Sequence, residues 1–327
     1  MPVPLWLCSG ALAVSLGCML LWTAYRSSKS MLPLLLFALG LLSFMLGLYG
    51  FGQQLMSFET HAAHTDSLLT RAYHLQAEQE IRALLAQPGR SDPKRLGHYE
   101  HRVYSQNGED GAIAEIFRRI GTTNKVFVEF GASDGDENNT VLLLTACGWS
   151  GVWMDGDGDA IQRAGKHFES DVKVGRLRIK ETFITAENIQ DLFRELQVPK
   201  EFDLLSVDID RNDYYVWQKI EDYHPRAVVI EYSPLFPPYI SWVIPYDPHA
   251  VWDGSSHTSA SLKALEQLGT QKGYSLVGCS LAGVNAYFVR NDLVGDKFAA
   301  PFTAENHYEP ARYFLDYEDT NHPRRPW

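Results

Sequence analysis

The segment VFVEFGASDGDENNT, residues 126–140, joins a strand-like run to a turn that contains two glycines. The run is apolar except for Glu129, which is typical of a strand buried in a parallel sheet. Gly131 and Gly135 follow, and glycine lets a backbone turn tightly and approach a ligand closely. The carboxylate residues of the segment are Glu129, Asp134, Asp136 and Glu137. The pattern predicts an acidic ligand loop after the first strand of a sheet.

Outward from this segment, strand-like and helix-compatible runs alternate along the chain. Such alternation predicts a parallel sheet with helices on both faces. Two last strand-like runs, separated by residues 281–283, predict an antiparallel pair. The predicted strands are residues 125–130, 151–155, 177–184, 202–209, 226–232, 274–280 and 284–290. The predicted fold class is α/β, with a Rossmann-like sheet of seven strands.

Ligands that carry phosphate fit the acidic loop badly. A phosphate about 4 Å from a carboxylate is opposed by roughly 4 kcal/mol at an effective dielectric constant near 20. The chain also contains neither GxGxxG nor GxxxxGK[ST], the two phosphate-binding motifs. S-adenosylmethionine carries a sulfonium and an ammonium group and no phosphate. The residues therefore predict S-adenosylmethionine as the cofactor, and a phosphate-dependent Rossmann enzyme is the alternative.

Further candidate cofactor residues follow the second and third strands. Asp155 ends the second strand, where its carboxylate can accept hydrogen bonds from both ribose hydroxyls. Asp157 competes for this role, with capping of the next helix as its alternative explanation. Glu187 is the candidate on the adenine side, where helix capping is again the alternative, and residues 138–140 can simply start a helix. The predicted cofactor-binding residues are Glu129, Gly131, Asp134, Gly135, Asp155, Glu187 and Asp208.

Acidic residues also follow the fourth and fifth strands, at the same predicted sheet edge. Asp210 or Glu231 can serve as the general base that removes the proton of a hydroxyl acceptor. Alternatively, Asp208, Asp210 and Glu231 hold a divalent cation that lowers the pKa of the acceptor. A third interpretation is that Asp208 contacts the methionine part of the cofactor and that Asp213 caps the next helix.

The chain between residues 233 and 256 contains five prolines and five aromatic residues. Long loops in compact domains are usually functional or disordered, and the aromatic content argues against disorder. We expect this loop to form a wall or lid over the acceptor. His257 lies at its end and is a candidate proton carrier, although a solvent-facing histidine is the alternative. The predicted catalytic residues are Asp210, Glu231 and His257.

Five ordered motifs together resemble the FkbM-type class of S-adenosylmethionine-dependent methyltransferases. They are SQNGEDGAIAEIF (105–117), FVEFGASDGDENNT (127–140), GWSGVWMDGD (148–157), FDLLSVDIDRNDYYVW (202–217) and VVIEYSP (228–234). The resemblance covers residues 104–290 and implies a class I methyltransferase sheet and methylation mainly of oxygen, often on sugars or polyketide-like metabolites. The chain has Arg211 where a DIDGND-like motif would have glycine. A cation there can alter substrate choice or block a metal, and a noncatalytic cofactor-binding or scaffold protein is the alternative function.

The N-terminal part of the chain has a different composition. Residues 5–25 and 31–51 contain no charged residue, and runs of about 20 apolar residues match the length of a helix that crosses a bilayer. The sequence predicts a transmembrane hairpin, with a cleaved signal peptide as the alternative for the first run. The predicted domains are a transmembrane hairpin (1–52), a stalk helix and linker (53–95), a methyltransferase domain (96–300) and a C-terminal tail (301–327).

The formal net charge of −11 argues against nucleic acid as a partner. The expected partners are a small-molecule or glycan acceptor and a membrane lipid bilayer. Arg26 and Lys29 separate the two apolar runs, and the positive-inside rule would place them in the cytoplasm and the large domain outside. Because S-adenosylmethionine is made in the cytosol, we instead expect the catalytic domain on the cytoplasmic side of the membrane.

Overall fold

The computed structural model describes Met19, Trp22, Thr23, Arg26 and residues 31–252 and 259–315. The chain forms two compact units, Met1–Ala72 and Tyr73–Trp327. The predicted domain bounds stay predictions.

The first unit contains most of helix α1, Leu32–Leu85. The predicted second apolar run, residues 31–51, lies in this helix, and large side chains such as Leu35, Leu39 and Phe44 are exposed. Within the described part of the chain, no helix has the combined length and apolarity that crossing a bilayer requires. The first run, residues 5–25, lies almost entirely outside the described residues. The predicted transmembrane hairpin is therefore not confirmed.

The second unit is built on a sheet of seven strands. Their order across the sheet is β3-β2-β1-β4-β5-β7-β6. The first five strands are parallel, and β7 is antiparallel to both β5 and β6. The strands are β1 (Val126–Phe130), β2 (Ser150–Asp155), β3 (Leu177–Glu181), β4 (Glu201–Val207), β5 (His224–Glu231), β6 (Tyr274–Cys279) and β7 (Asn285–Arg290). The predicted α/β class and its seven-stranded mixed sheet are confirmed.

Of the predicted strands, the third extends furthest beyond its observed end. The third strand was expected to continue to Ile184, but β3 ends at Glu181. The reason is that β3 pairs only with β2, and their last paired residues are Asp155 and Glu181. The N–H of Thr182 still donates to the carbonyl of Asp155, and the chain then leaves the sheet.

Helices cover both faces of the sheet, as the alternating sequence predicts. Successive residues of a strand point to opposite faces. In β1, Val128 and Phe130 belong to one buried apolar cluster and Phe127 belongs to the other. The helices are α2 (Glu109–Ile120), α3 (Val141–Ala146), α4 (Gly158–His167), α5 (Glu169–Lys173), α6 (Ile189–Glu195), α7 (Asp213–Lys219), α8 (Leu262–Gln271), α9 (Asn291–Val294) and α10 (Ala304–His307), with short 3₁₀ turns at Leu96–Tyr99 and Tyr313–Leu315. The two packed faces fix the loops at the carboxyl edge of the parallel strands.

Candidate functional site

A cavity of about 190 Å³ lies beyond the carboxyl ends of β1 and β4. The strand order reverses between these two strands, and open α/β sheets bind their ligands at such a point. The cavity is lined by Gln106, Glu129, Gly131, Ser133, Asp134, Glu137, Asn138, Asn139 and Asp208. Four predicted cofactor residues, Glu129, Gly131, Asp134 and Asp208, therefore meet at one cavity. Another cavity, beside Leu85 and Gly278, measures about 20 Å³ and has room for little more than one water molecule.

Gly131 brings the loops after β1 and β4 into contact. Its φ of +69° lies in the left-handed region that favours glycine. A Cβ atom at this position would lie 1.6 Å from the carbonyl oxygen of Asp208. The backbone N–H of Gly131 donates to the carbonyl of Met154, 3.0 Å away in β2. Only glycine fits where three strand ends come this close.

Gly135 serves packing within the same loop. Its φ is +86°, and a Cβ atom there would lie 2.7 Å from the ring of Phe168 and 3.0 Å from that of Trp153. The two rings meet edge to face, with centroids 4.8 Å apart. Gly135 is not among the residues that line the cavity. Its role as a direct cofactor contact stays a prediction. The structure shows that the absence of a side chain at Gly135 lets the acidic loop pack on the rings of Phe168 and Trp153.

Glu129 is a buried carboxylate at the floor of the cavity. Its oxygens accept hydrogen bonds from the backbone N–H of Asn139 at 2.9 Å and from the hydroxyl of Thr140 at 2.5 Å. The indole N–H of Trp153 donates to the same hydroxyl at 2.8 Å. Burial raises the pKa of Glu129 to about 7, although these hydrogen bonds lower it. Residues 138–140 thus hold Glu129, and the residue that precedes helix α3, Thr140, makes no side-chain capping bond.

Two carboxylates of the acidic loop are paired with arginines. Arg163 lies 3.3 Å from Asp134, and Arg102 lies 3.2 Å from Glu137. The negative charge of the loop is therefore partly compensated, which the sequence analysis did not anticipate. Arg163 is 58% exposed, and ion pairs exposed to this degree are weak. A cationic ligand can therefore compete with Arg163 for Asp134.

Asp155 lies beside the cavity, at the end of β2. Its carboxylate accepts hydrogen bonds from the backbone N–H groups of Ser133 at 2.7 Å and Asp157 at 2.8 Å. Ser133 itself lines the cavity. Asp157 is the N-cap of α4, because its side chain accepts from the N–H groups of Asp159 and Ala160. The capping interpretation of Asp157 is confirmed, which leaves Asp155 as the ribose candidate.

The loop after β4 is strained and acidic. Asp210 and Arg211 have φ values of +55° and +64°, a conformation that costs non-glycine residues about 1–2 kcal/mol. The glycine expected at position 211 would suit this backbone. Burial raises the pKa of half-buried Asp210. Enclosure by protein and then the negative charges of Asp213 and Asp210 raise the pKa of Asp208. Asp208 is nevertheless exposed to solvent at the cavity.

Asp213 does not cap α7 in the expected way. The N-cap residue is Asn212, and it makes no side-chain capping bond. Asp213 is fully buried and accepts a hydrogen bond at 2.8 Å from the N–H of Ile209, in the preceding loop. Its second carboxylate oxygen has no hydrogen-bond partner, and burial raises the pKa of Asp213 to about 7. Asp213 therefore holds the loop that carries Asp208 and Asp210.

Glu231 and His257 are the remaining predicted catalytic residues. Glu231 ends β5 at the same sheet edge and pairs in register with Asn285 of β7. His257 lies outside the described residues. In the part of the chain that is described, no group of three or more His, Cys, Asp or Glu side chains is arranged to hold a metal ion. The divalent-cation alternative for Asp208, Asp210 and Glu231 therefore gains no support.

Glu187 lies in the loop after β3 and is engaged by the aromatic loop. The hydroxyl of Tyr246 donates to the Glu187 carboxylate at 2.5 Å. This hydrogen bond lowers the pKa of Glu187. Asn188, the N-cap of α6, accepts through its side chain from the N–H of Thr185 at 2.9 Å. Asn188 therefore makes no side-chain capping bond to α6, and Glu187 is held by Tyr246 of the loop that was expected to form the wall.

Gln106 is a cavity residue that the sequence analysis did not single out. It follows a loop held by Asp110, whose carboxylate accepts from the N–H groups of Val103, Tyr104 and Ser105 at 2.6–2.9 Å. Ser105, Gln106 and Asp110 lie in the SQNGED motif (105–110), and Val103 and Tyr104 precede it. This motif was the sequence signal that could have identified Gln106. The motif therefore has a structural explanation, because it shapes one wall of the cavity.

No family model matches the chain, and no curated protein matches it. Similar solved structures include the N-terminal domain of EvdMO1 with SAH bound, with a TM-score of 0.36, 13% identity and coverage of 59% of this chain and 82% of that one. A Klebsiella pneumoniae protein assigned as an O-methyltransferase gives a TM-score of 0.39, 13% identity and coverage of 68% and 99%. The pyocyanin biosynthetic protein PhzM has a TM-score of 0.33, 15% identity and coverage of 54% of each chain. TM-scores of this size carry no conclusion about activity, and the FkbM-type resemblance is not confirmed.

Proposed function

We propose that the protein binds S-adenosylmethionine and transfers its methyl group to a hydroxyl acceptor. The observation that carries the proposal is the convergence of Glu129, Asp134 and Asp208 beside Gly131 at one cavity. Carboxylates attract the sulfonium and ammonium groups of this cofactor and oppose a phosphate. The position of the cavity at the reversal of strand order adds support.

Each part of the cofactor has a candidate partner. We expect Asp155 to bind the ribose hydroxyls, because two backbone N–H groups already fix the orientation of its carboxylate. We expect Asp208 and Glu129 to bind the amino-acid part of the cofactor, because both line the cavity. Gly131 keeps the loops close without a side chain in the space between them.

Asp210 is the general base that we favour. It is half-buried in the strained loop after β4, and burial raises its pKa, which makes it a better proton acceptor near neutral pH. The bound cofactor would supply an activated methyl group on a positively charged sulfur. Asp210 would take the hydroxyl proton of the acceptor while the new oxygen–carbon bond forms and the carbon–sulfur bond breaks. Glu231 is the alternative base at this edge.

The proposed acceptor is a sugar, a lipid-linked saccharide or a related metabolite. Aromatic side chains of residues 233–252 support this choice, because Phe236 and Trp242 stack with centroids 4.6 Å apart and Trp252 is 53% exposed. We also propose attachment to a membrane through residues 1–52, with the second unit on the cytoplasmic side. Exposed apolar side chains at the start of α1 support attachment.

A noncatalytic cofactor-binding protein is the second candidate. It is favoured by Arg211, which stands in a left-handed conformation directly after the proposed base. If its side chain fills the acceptor site, Arg211→Gly should leave cofactor binding unchanged and create or increase methyl transfer to added acceptors. If wild type already turns over and Arg211→Gly does not gain activity, the noncatalytic candidate is excluded.

Isothermal titration calorimetry tests the cofactor assignment. Wild type should bind S-adenosylmethionine and should not bind NADH or ATP. Asp134→Ala and Asp155→Ala should each weaken binding by about tenfold or more, since each removes a charge-assisted interaction of about 1.5–3 kcal/mol. Unchanged affinity in both variants would remove the assignment.

The catalytic part needs a separate measurement. Formation of demethylated cofactor during incubation with a cell extract reports turnover. Asp210→Ala should keep cofactor affinity and slow turnover by about 10²- to 10⁴-fold, the usual contribution of a placed base. Wild-type turnover in the Asp210→Ala variant would move the role to Glu231, which Glu231→Gln then tests in the same assay.

A further inference from the structure

The aromatic segment, defined here as residues 233–252, is bonded to α7 at the sheet edge. The side-chain amide of Asn212 donates to the carbonyl of Asp247 at 2.8 Å. The hydroxyl of Tyr215 donates to the carbonyl of Ile244 at 2.9 Å. Both donors belong to the chain that follows β4 and carries Asp208 and Asp210. The segment is therefore attached to the same loop and helix that present the proposed catalytic carboxylates.

Tyr246 extends these attachments to the loop after β3. Its hydroxyl donates to the carboxylate of Glu187 at 2.5 Å and accepts from the N–H of Ala186 at 3.2 Å. Its ring packs on that of Tyr215, with centroids 4.8 Å apart. One tyrosine thus joins the loop after β3 to the helix after β4. The hydroxyl uses both its donor and its acceptor capacity, which fixes the orientation of the Glu187 carboxylate.

The position of Glu187 identifies the part of the cofactor concerned. Asp155, the proposed ribose partner, ends β2 and pairs in register with Glu181, the last residue of β3. The N–H of Thr182 donates to the carbonyl of Asp155 at 2.8 Å. The loop after β3 therefore begins beside the ribose partner and continues to Glu187. This is the adenosine side of the proposed site, whereas Asp208 and Gln106 lie at the cavity.

We propose that Tyr246 is a positioning residue for the adenosine part of the cofactor, and that it acts by holding the Glu187 carboxylate. This inference rests on the proposed function. Because Tyr246 belongs to the aromatic segment, the chain that is proposed to face the acceptor also helps to recognise the cofactor. Binding of cofactor and ordering of the aromatic segment are then coupled, and the coupling is reciprocal.

Two ligands and two tyrosine variants test the proposal. The ligands are S-adenosylhomocysteine and 5′-methylthioadenosine, which keeps the adenosine and lacks the amino-acid part. Tyr246→Phe removes only the hydroxyl and should weaken the binding of both ligands by about fivefold, the lower end of typical couplings between sites. Tyr239→Phe is the matched control, because Tyr239 lies in the same segment and is 69% exposed. Its affinities should equal those of wild type.

A double-mutant cycle separates positioning from a general structural effect. Glu187→Gln should weaken both ligands, and Tyr246→Phe should add little to it, because the two changes remove one shared interaction. Wild type should also gain protection of the aromatic segment from limited proteolysis when S-adenosylhomocysteine is added. Tyr246→Phe should lose this ligand-dependent protection while its unfolding midpoint stays close to that of wild type.

The outcomes distinguish this inference from the proposed function. If wild type binds neither ligand, the proposed function fails and the inference fails with it. If wild type binds both and Tyr246→Phe binds both equally well, only the inference is overturned. A loss confined to S-adenosylhomocysteine also overturns it, because Tyr246 would then act on the amino-acid end. If Tyr246→Phe does not fold, the Glu187→Gln variant decides between the same outcomes.

Discussion

At the scale of single residues, the site is defined by carboxylates that differ in their surroundings. Glu129 and Asp213 are buried and have a pKa raised to about 7. Asp134 is half-exposed and paired with Arg163. The buried acids are therefore partly protonated at neutral pH, and a cation bound in the cavity would favour the ionised form of Glu129, which lines it. Cofactor binding should consequently be linked to the release of protons.

This linkage gives a prediction with a defined sign. A carboxyl group whose pKa is raised on folding from 4.5 to about 7 favours the folded state only while it is protonated, so the unliganded protein should lose stability as the pH rises from about 4.5 to about 7. Affinity for the cationic cofactor should change in the opposite direction. It should fall about tenfold from pH 8 to pH 6 for each such group that must ionise, because one pH unit below the pKa costs a factor of ten.

Calorimetry at both pH values, in buffers with different ionisation enthalpies, measures the affinity and the proton release together. S-adenosylhomocysteine lacks the sulfonium charge and should show a smaller change. Glu129→Gln should flatten the pH dependence, since the amide cannot titrate. An affinity for S-adenosylmethionine that is constant between pH 6 and pH 8 would contradict the linkage.

Gly131 allows a second prediction for a single residue. Gly131→Ala should lower the free energy of unfolding by more than about 2 kcal/mol, because strain of about 1–2 kcal/mol at positive φ adds to a clash with the Asp208 carbonyl. Gly175 is the matched control. Its φ is +77°, and a Cβ atom there would meet nothing within 4 Å, so Gly175→Ala should cost only the strain. Urea denaturation measures both variants, and equal losses would show that the close approach is unimportant.

At the scale of secondary-structure elements, the start of helix α4 gives two neighbouring aspartates different roles. Asp157→Ala should remove the N-cap and lower the free energy of unfolding by about 1 kcal/mol, with little effect on cofactor affinity. Asp155→Ala should weaken cofactor binding in addition to removing the two backbone hydrogen bonds that its carboxylate accepts. Denaturation and calorimetry on the same two preparations give the comparison. A loss of affinity in Asp157→Ala that matches that of Asp155→Ala would return Asp157 to the binding site.

Secondary-structure elements were the most predictable feature of this sequence. The strand-like runs predicted all seven strands, and buried strands such as β1 and β2 have the almost continuous apolar sequence of a strand covered on both faces. The end of β3 was missed because it depends on where its neighbour β2 stops. Helix caps divided in the same way. Asp157 caps α4 as its local sequence predicts, whereas Asp213 accepts from the N–H of Ile209, four residues earlier, and does not cap α7.

Site residues were predictable where the sheet edge alone positions them. Glu129, Asp155 and Asp208 lie at or directly after the carboxyl ends of β1, β2 and β4, so the alternation of elements was enough to place them at one sheet edge. Arg102 and Arg163 could not be found in this way, because they come from other elements and reach the acidic loop through the fold. The contact between Tyr246 and Glu187 joins residues 59 positions apart and likewise has no local signal.

At the scale of the whole molecule, the sequence and the structure describe two units of different character. The second unit contains the sheet and the proposed site. The first unit contains the apolar beginning of α1, where residues 32–58 include no charged residue. A water-soluble helix normally presents charged side chains on its outer face. Exposed leucine and phenylalanine side chains on α1 are therefore the feature that any account of the whole protein must explain.

Membrane attachment is the explanation that we propose, and fractionation tests it on the full chain. The protein should stay in the membrane pellet after extraction with alkaline carbonate, which releases proteins held by charge alone. Deletion of residues 1–52 should move it to the supernatant. Protease added to intact cells or spheroplasts should leave the second unit uncut, because the cofactor is available on the cytosolic side. Cleavage from outside would instead agree with Arg26 and Lys29 in the cytoplasm, and it would place the proposed site where a cytosolic cofactor cannot reach it.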